Sequence, residues 1–215
     1  MKKNFSTKVL AEVAIFAALA FALDALQSGI FKGIFVNGGS IGFAMLPIFI
    51  ISYRRGLIPG LLCGLILSIV QMLGGIYIIQ GKTLDGAFMQ AMGPFIQVML
   101  DYVLAYTVVG FTGLFCKLYQ NNQNTNKKYT WIIVGCVVGG LLKYLSHFLA
   151  GVWFWPGEMW GVGGNLYSLL YNGLYCIPNI IICTILMVII AKAYPQFLNP
   201  ENNIKEDVED EEATF

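Results

Sequence analysis

The stretch TWIIVGCVVGGLLKYLSHFLAGVWFW, residues 130–155, indicates the class of fold more clearly than any other part of the chain. It exceeds the roughly 20 residues that a helix needs to cross a bilayer, and it is apolar along most of its length. Within it, His147, Gly151 and Trp155 follow at i, i+4 and i+8, so a helix places them on one stripe. Such a stripe is explained either by helix packing or by contact with a ligand, and the rest of the chain decides between them.

The composition is that of a membrane protein. Hydrophobic residues make up 57% of the chain and charged residues 12%, with a mean hydropathy of +0.70, whereas soluble domains carry about 25% charged residues. Recurring apolar runs predict an all-α integral membrane protein, with six transmembrane helices in one domain of residues 1–193. The predicted helices span residues 8–26, 41–53, 57–79, 94–117, 130–153 and 166–193.

Basic residues alternate between the two sides of this predicted bundle. Lys32 and Lys82 lie on one side and ten basic residues on the other, which by the positive-inside rule predicts that both termini are cytoplasmic. Residues 194–215 are strongly acidic and predict a solvated, disordered cytoplasmic tail. The ten basic residues are Lys2, Lys3, Lys8, Arg54, Arg55, Lys117, Lys127, Lys128, Lys192 and Lys205.

Several classes of protein are excluded by the motifs that the sequence lacks. The chain has no HExxH or GxxxxGK[ST] motif, so it is not expected to be a zinc hydrolase of that type or to hydrolyse ATP by a P-loop mechanism, and we do not expect it to be an enzyme. It has one histidine, and its five cysteines show no CxxC spacing, so neither a metal site nor a disulfide is predicted. We expect no cofactor, no metal and no nucleic-acid partner.

Five polar or aromatic residues are predicted to share the outer third of the membrane. Counting along the predicted helices at about 1.5 Å per residue places them at a similar depth on three different helices. An acid, an imidazole, an amide and aromatic rings at one depth suit a flat, cationic ligand that forms hydrogen bonds. The five residues are Asp101, His147, Trp155, Tyr167 and Asn172.

Each of these residues also has a structural explanation. Asp101 could pair with Lys143, which lies one turn before His147 on the same predicted helix. The aromatic side chains could belong to a membrane-interface belt, and Asn172 could join two helices by hydrogen bonds. The functional interpretation is favoured because an ionisable residue inside a membrane is costly to bury.

Five segments resemble the thiamine-specific S-components of energy-coupling factor (ECF) vitamin transporters, the ThiT/YuaJ family. The resemblance covers nearly the whole chain up to the acidic tail, and its last two segments are the most specific. The segments are AEVAIFAALAFALD (11–24), MLPIFIISYRRG (45–56), PFIQVMLDYVLAYT (94–107), HFLAGVWFW (147–155) and YSLLYN (167–172).

The resemblance implies a fold and a function. The ECF S-component fold has six transmembrane helices with both termini inside, in the plasma membrane of a bacterium. The implied function is high-affinity capture of thiamine from outside, with uptake driven by a transmembrane coupling subunit and two ATP-binding subunits. Matching the family's motifs residue by residue implies a thiamine-binding set of Asp101, Tyr102, His147, Gly151, Trp155, Tyr167 and Asn172.

The resemblance also assigns roles to particular positions. Gly151 is expected to be bare so that thiamine can approach the backbone, with His147 and Trp155 against its rings. Ala14 and Ala18 resemble the face that docks on the coupling subunit, and packing inside the bundle is the alternative. Some family members carry a tryptophan after the first helix, for which Phe31 or Phe35 is the candidate replacement. Contacts from loops 27–40 and 80–93 stay open.

Three other functions remain in competition. An intramembrane enzyme would use Asp101 and His147 as an acid–base pair, but no nucleophile or metal is arranged beside them. A stand-alone secondary transporter would couple uptake of thiamine or a related cation to protons through Asp101. The third alternative is an S-component for another vitamin.

Overall fold

Helices dominate the structure, a computed structural model that describes residues 6–31, 34–35 and 38–200. Most are long and apolar, as the composition predicts, and a short antiparallel hairpin joins two of them. The helices are α1 (Thr7–Ile30), α2 (Leu46–Arg55), α3 (Leu57–Leu73), α4 (Ala87–Gln120), α5 (Thr125–Phe154), α6 (Gly164–Ala193) and α7 (Pro195–Leu198). The hairpin pairs β1 (Glu158–Met159) with β2 (Val162–Gly163).

The helical class of the fold is confirmed, and each predicted span contains a helix. In the described part of the chain, four helices, α1, α4, α5 and α6, are long and apolar enough to cross a membrane. The helices α2 and α3 have only 10 and 17 residues, so a count of six membrane crossings stays a prediction. Many large apolar side chains on the long helices face outward, which is the surface that lipid would cover.

Three helices begin or end at residues that differ from the prediction, and a glycine or a proline is involved in each. The third helix was predicted to reach residue 79 but ends at Leu73, because Gly74 caps it and Gly75 adopts a φ of 117°. The second helix begins at Leu46 rather than 41, with Pro47 in its first turn. The fourth was predicted to start at Pro94, but it starts at Ala87 and contains Pro94 in its interior.

Polar side chains cap the starts of α1 and α5, and both helices are longer than predicted. The side chain of Ser6 accepts a hydrogen bond from the Val9 amide at the start of α1, and Asn124 accepts one from Lys127 at the start of α5. The first helix continues to Ile30 rather than 26, and the fifth starts at Thr125 rather than 130.

The winding of α4 changes along its length. A π-helical turn interrupts the α-helix, and a tighter 3₁₀ segment follows it. Both departures from regular α-helix are local, so the chain continues in one direction through them. The segments are Ala87–Val98 (α), Met99–Val103 (π), Leu104–Thr107 (α), Val108–Phe115 (3₁₀) and Cys116–Gln120 (α).

Glycines bring α3 and the second half of α4 into backbone contact. A Cβ on Gly110 would lie 2.3 Å from the Leu61 nitrogen, and one on Gly64 would lie 2.2 Å from the Tyr106 carbonyl oxygen. Because neither neighbour is a flexible side chain, only glycine fits at these positions without moving a helix. This contact is the small-residue packing that joins helices in membranes.

Ion pairs connect the first turns of α1 to the end of α2. Glu12 accepts hydrogen bonds from both Arg54 and Arg55, at 3.0 and 2.6 Å from their Nε atoms. Arg54 also donates to the carbonyl of Phe197 in α7. These contacts fasten three segments of the chain together.

The segment after α6 is not simply a tail. The side chain of Leu198 is fully buried, and its carbonyl accepts a hydrogen bond from Gln120 at 3.0 Å. The packed part of the chain therefore continues past residue 193 to α7, and the boundary of the membrane domain itself stays a prediction. Residues 201–215 of the predicted acidic tail lie outside the described residues.

The packing of α3 on α4 generates a stability prediction. Gly110→Ala should lower the free energy of unfolding by about 1–3 kcal/mol, because the added methyl group overlaps the α3 backbone. Thermal unfolding of the purified protein in detergent measures the effect. Gly29→Ala is the matched control, since a Cβ there meets no atom within 4 Å. A Gly110→Ala protein that melts with the parent would contradict the close contact.

Candidate ligand-binding site

A cavity of about 820 Å³ opens at the end of the bundle away from Glu12 and Arg54. It lies between the C-terminal half of α1, the π turn of α4, the end of α5 and the start of α6, with two short segments at its rim. Among the described residues, all seven predicted binding residues line it: Asp101, Tyr102, His147, Gly151, Trp155, Tyr167 and Asn172. The structure thus brings together positions that are up to 71 residues apart (172 − 101).

The π turn of α4 carries Asp101 and Tyr102 into the cavity wall. A π turn inserts an extra residue into the helical repeat and rotates the residues that follow, and such turns are frequent at functional sites. The hydroxyl of Tyr102 accepts a hydrogen bond at 3.0 Å from the Tyr77 amide, which belongs to the rim. The π turn therefore places two neighbouring residues, Asp101 and Tyr102, in the wall of the cavity.

The carboxylate of Asp101 is held by three neighbours. Its Oδ2 accepts hydrogen bonds from Trp155 Nε1 at 2.8 Å and from Gln97 Nε2 at 2.9 Å. Its Oδ1 lies 3.8 Å from His147 Nδ1. No ion pair in the described part of the chain joins Asp101 to Lys143, so the structural alternative for Asp101 is not supported.

The predicted stripe of His147, Gly151 and Trp155 lines one wall of the cavity. The His147 ring meets the edge of the Tyr175 ring at 5.8 Å between centroids, and the Trp155 ring lies 5.3 Å from that of Tyr77. Both side chains are partly buried, with one polar atom directed at Asp101. The wall therefore offers aromatic faces next to a carboxylate.

Helix packing gives a reason of its own for glycine at position 151. A Cβ on Gly151 would lie 2.2 Å from Ser168 Oγ and 3.0 Å from Asn172 Nδ2, so α6 already occupies the space beside it. Gly151 also lines the cavity, so approach of a ligand to its backbone stays a prediction beside the close crossing of α5 and α6.

Asn172 joins α5 to α6, which was the structural alternative for this residue. Its Nδ2 donates to the Ser168 carbonyl at 2.9 Å and lies 3.3 Å from the His147 carbonyl. Its Oδ1 accepts a hydrogen bond from the Tyr175 hydroxyl. With both ends of the amide engaged, Asn172 positions His147 and Tyr175 beside the cavity.

Aromatic residues of α6 extend the wall beyond the predicted set. The Tyr167 and Tyr171 rings lie 5.5 Å apart, and the Tyr171 and Tyr175 rings 6.3 Å apart. Phe35 packs on Tyr175 at 5.5 Å but is not among the residues that line the cavity, so it supports the wall from behind. The sequence motif pointed to Tyr167 alone, although Tyr171 and Tyr175 continue the same helical stripe at i+4 and i+8.

Sequence reasoning also missed a polar cluster at the inner end of the cavity. Asp24, Gln71, Tyr106 and Lys143 line it together, although each lies on an apolar helix. Asp24 and Lys143 were visible as ionisable residues in predicted membrane spans, which is a signal for function. Their proximity could not be read from the sequence because they are 119 residues apart (143 − 24).

The two loops left open by the sequence are now partly placed. Gly38, Gly39 and Ser40 line the cavity from the first loop, whereas residues 32, 33, 36 and 37 lie outside the described residues. The second loop forms a 3₁₀ turn, Gly81–Thr83, and the first turns of α4. The rim contributes Gly74, Gly75 and Tyr77, which come just before that loop.

The predicted docking residues lie on the outer surface of α1. Ala14 and Ala18 are both exposed, while Val13, Ala17 and Ala20 on the same helix are buried in the bundle. Packing within this chain therefore does not explain the small side chains at 14 and 18.

Comparisons with known proteins agree on one family. Residues 10–199 match the family model described as thiamine transporter protein (Thia_YuaJ). The thiamine transporter ThiT of Bacillus subtilis (strain 168) is 32% identical over 197 residues, which is 89% of this chain and 94% of that protein. The thiamine transporter ThiT of Lacticaseibacillus paracasei is 28% identical over 201 residues, 91% of this chain and 92% of its own.

A solved structure of ThiT from Listeria monocytogenes shares the fold. It superposes with a TM-score of 0.69 at 28% identity, and the match covers 89% of this chain and 97% of that chain. The relatives are named as transporters and not as enzymes, which confirms that expectation.

The crossing of α5 and α6 generates a second prediction. Gly151→Ala should lower the free energy of unfolding without any ligand by about 1–3 kcal/mol, because the methyl group overlaps Ser168 Oγ. Adding Ser168→Gly should restore part of the loss, since it removes the overlapping atom. Thermal unfolding of both variants and of Ser168→Gly alone measures this. If Gly151 served only ligand approach, Gly151→Ala would melt with the parent protein.

Proposed function

The chain belongs to the thiamine transporter family (Thia_YuaJ), and we propose that it is a membrane subunit that captures thiamine for ATP-driven uptake. The family membership makes thiamine the ligand class, and one structural observation carries the proposal to particular residues. All seven residues that the family motifs suggest line a single cavity. A mere similarity of fold would not require them to converge.

The chemistry of the cavity suits thiamine. Thiamine has a permanently charged thiazolium ring and an aminopyrimidine ring that forms hydrogen bonds. The Asp101 carboxylate offers a counter-charge and acceptor atoms, and the rings of Trp155, His147 and Tyr175 stand around it. Aromatic faces attract cations, and hydrogen bonds to a charged group contribute about 1.5–3 kcal/mol each.

The distribution of basic residues supports an outward-facing cavity. The helix ends away from the cavity carry Arg54 and Arg55 together with Lys8, Lys117, Lys127, Lys128 and Lys192. By the positive-inside rule this end is cytoplasmic, as are both termini. The cavity then opens to the outside of a bacterial plasma membrane, where scarce thiamine is captured.

Partner subunits are proposed to supply the energy. The sequence has no P-loop motif, and the exposed small residues Ala14 and Ala18 provide a face on which another helix can approach closely. We assign this face to a transmembrane coupling subunit of ECF type, joined to two ATP-binding subunits. The remaining alternative is proton-coupled uptake by this chain alone.

The assignment of Asp101 generates the main test of the proposed function. Asp101→Asn should weaken thiamine binding roughly tenfold or more, about 1.4 kcal/mol, because it removes the counter-charge and replaces one acceptor oxygen by a donor. Quenching of tryptophan fluorescence by thiamine, titrated on the purified protein, gives the affinity. Glu158→Gln is the matched control, since it removes an exposed acid on the nearby hairpin, outside the cavity.

The parent protein is titrated in the same series. Failure of the parent to bind thiamine would refute the proposed ligand. Equal affinities for the parent and Asp101→Asn would instead refute the role of Asp101.

The docking face gives a prediction that separates binding from transport. Ala18→Leu should abolish thiamine uptake by cells while leaving the affinity of the isolated subunit unchanged, because the bulk is added outside the cavity. Ile181→Phe adds bulk at an exposed position of α6 and should leave uptake intact. Uptake by liposomes that contain this chain alone, driven by a proton gradient, would contradict the need for partners.

A further inference from the structure

The inner end of the cavity holds two opposite charges on different helices. Asp24 of α1 and Lys143 of α5 are 8% and 4% exposed, and Tyr106 of α4, 6% exposed, lies between them. All three line the cavity. Burying charged groups is expensive, so their arrangement needs an explanation.

Tyr106 links the two charges through its two ends. Its hydroxyl donates a hydrogen bond at 2.9 Å to Asp24 Oδ1, and the Lys143 ammonium lies 3.6 Å from the centroid of its ring. A cation over an aromatic face is attracted by the ring's electron density. A carboxylate that accepts a hydrogen bond from the phenol hydroxyl increases that density, so the two contacts strengthen each other.

Asp24 is the carboxylate that acts on Lys143. None of the ion pairs among the described residues includes Lys143, but Asp24 accepts a hydrogen bond from the tyrosine whose ring the Lys143 ammonium contacts. Asp101 is engaged elsewhere, by Trp155 and Gln97. The cavity therefore contains one compensated pair, Asp24 with Lys143, and a separate carboxylate.

The charges that line the cavity leave room for one cation. Asp24 and Asp101 contribute −2 and Lys143 contributes +1, which gives −1 with His147 neutral. A singly charged cationic ligand brings the sum to zero. Without Asp24, the charge of Lys143 would offset that of Asp101 and the cavity would have no net attraction for a cation.

We propose that Asp24, acting through Tyr106, offsets the charge of Lys143 and thereby sets the preference of the cavity for a singly charged cation. Asp24 is a specificity-determining residue in this scheme, distinct from Asp101, which faces the ligand. The inference rests on the proposed function, because it takes thiamine as the cation.

The test compares two ligands that differ in one charge. Thiamine and deazathiamine have closely similar shapes, but the ring of deazathiamine that takes the place of the thiazolium is uncharged. The measured quantity, for each purified variant, is its affinity for thiamine divided by its affinity for deazathiamine. A purely structural role of Asp24 would change both affinities alike and leave this ratio constant.

Three variants change the charge of the cavity in a defined order. Asp24→Asn should lower this ratio roughly tenfold, because thiamine loses affinity relative to deazathiamine. That is the effect of a unit charge about 10 Å away at an effective dielectric constant of about 20. Lys143→Met should raise the ratio, and the double variant should return it close to that of the parent. Gln27→Met is the control, because it removes a hydrogen bond to Asp24 without changing any charge at a residue that does not line the cavity, and its ratio should equal that of the parent.

The outcomes separate the two proposals. Parent protein that binds thiamine, with a ratio that stays constant in Lys143→Met and Asp24→Asn, refutes the role of Asp24 alone. Parent protein that does not bind thiamine refutes the proposed function and this inference with it. If Asp24→Asn fails to fold, Lys143→Met and the double variant still give changes that the proposal fixes in sign.

Discussion

A charge buried in an apolar helical bundle has to be compensated by other groups of the protein, and this constraint governs the whole cavity. Asp101 accepts hydrogen bonds from Trp155 and Gln97. Asp24 accepts them from Tyr106, Gln27 and Gln71. Because these partners lie on α1, α3, α4 and α5, satisfying the carboxylates also fixes the helices relative to one another around the cavity.

Close helix contacts provide the second part of the arrangement. Glycines at the α3–α4 and α5–α6 crossings let backbones approach until a Cβ would overlap a neighbour. Such contacts leave little freedom for one helix to shift along another. These contacts hold the groups around Asp101, and holding groups in place in this way lowers the cost of ordering side chains on binding.

Much of the fold and most of the cavity wall could be predicted. Long apolar runs predict helices because the membrane requires backbone groups to be satisfied within the helix, and the i, i+4, i+8 spacing put His147 and Trp155 on one wall. The ends of the helices were less predictable. Pro94 lies inside α4 rather than at its start, and α7 packs back where a tail was expected, because local rules do not include the contacts that the folded chain makes.

The sequence by itself determined the helical class and the stripe of α5, and its motifs named the residues that converge, because periodicity and motif spacing act along the chain. Only the tertiary structure decided what those residues touch. It showed that Ser168 packs where a side chain at position 151 would lie, and that Asn172 bridges two helices. It also paired Asp24 with Lys143 through Tyr106. Contacts between helices depend on their rotation and crossing, which the close packing of the whole bundle sets and no single helix encodes.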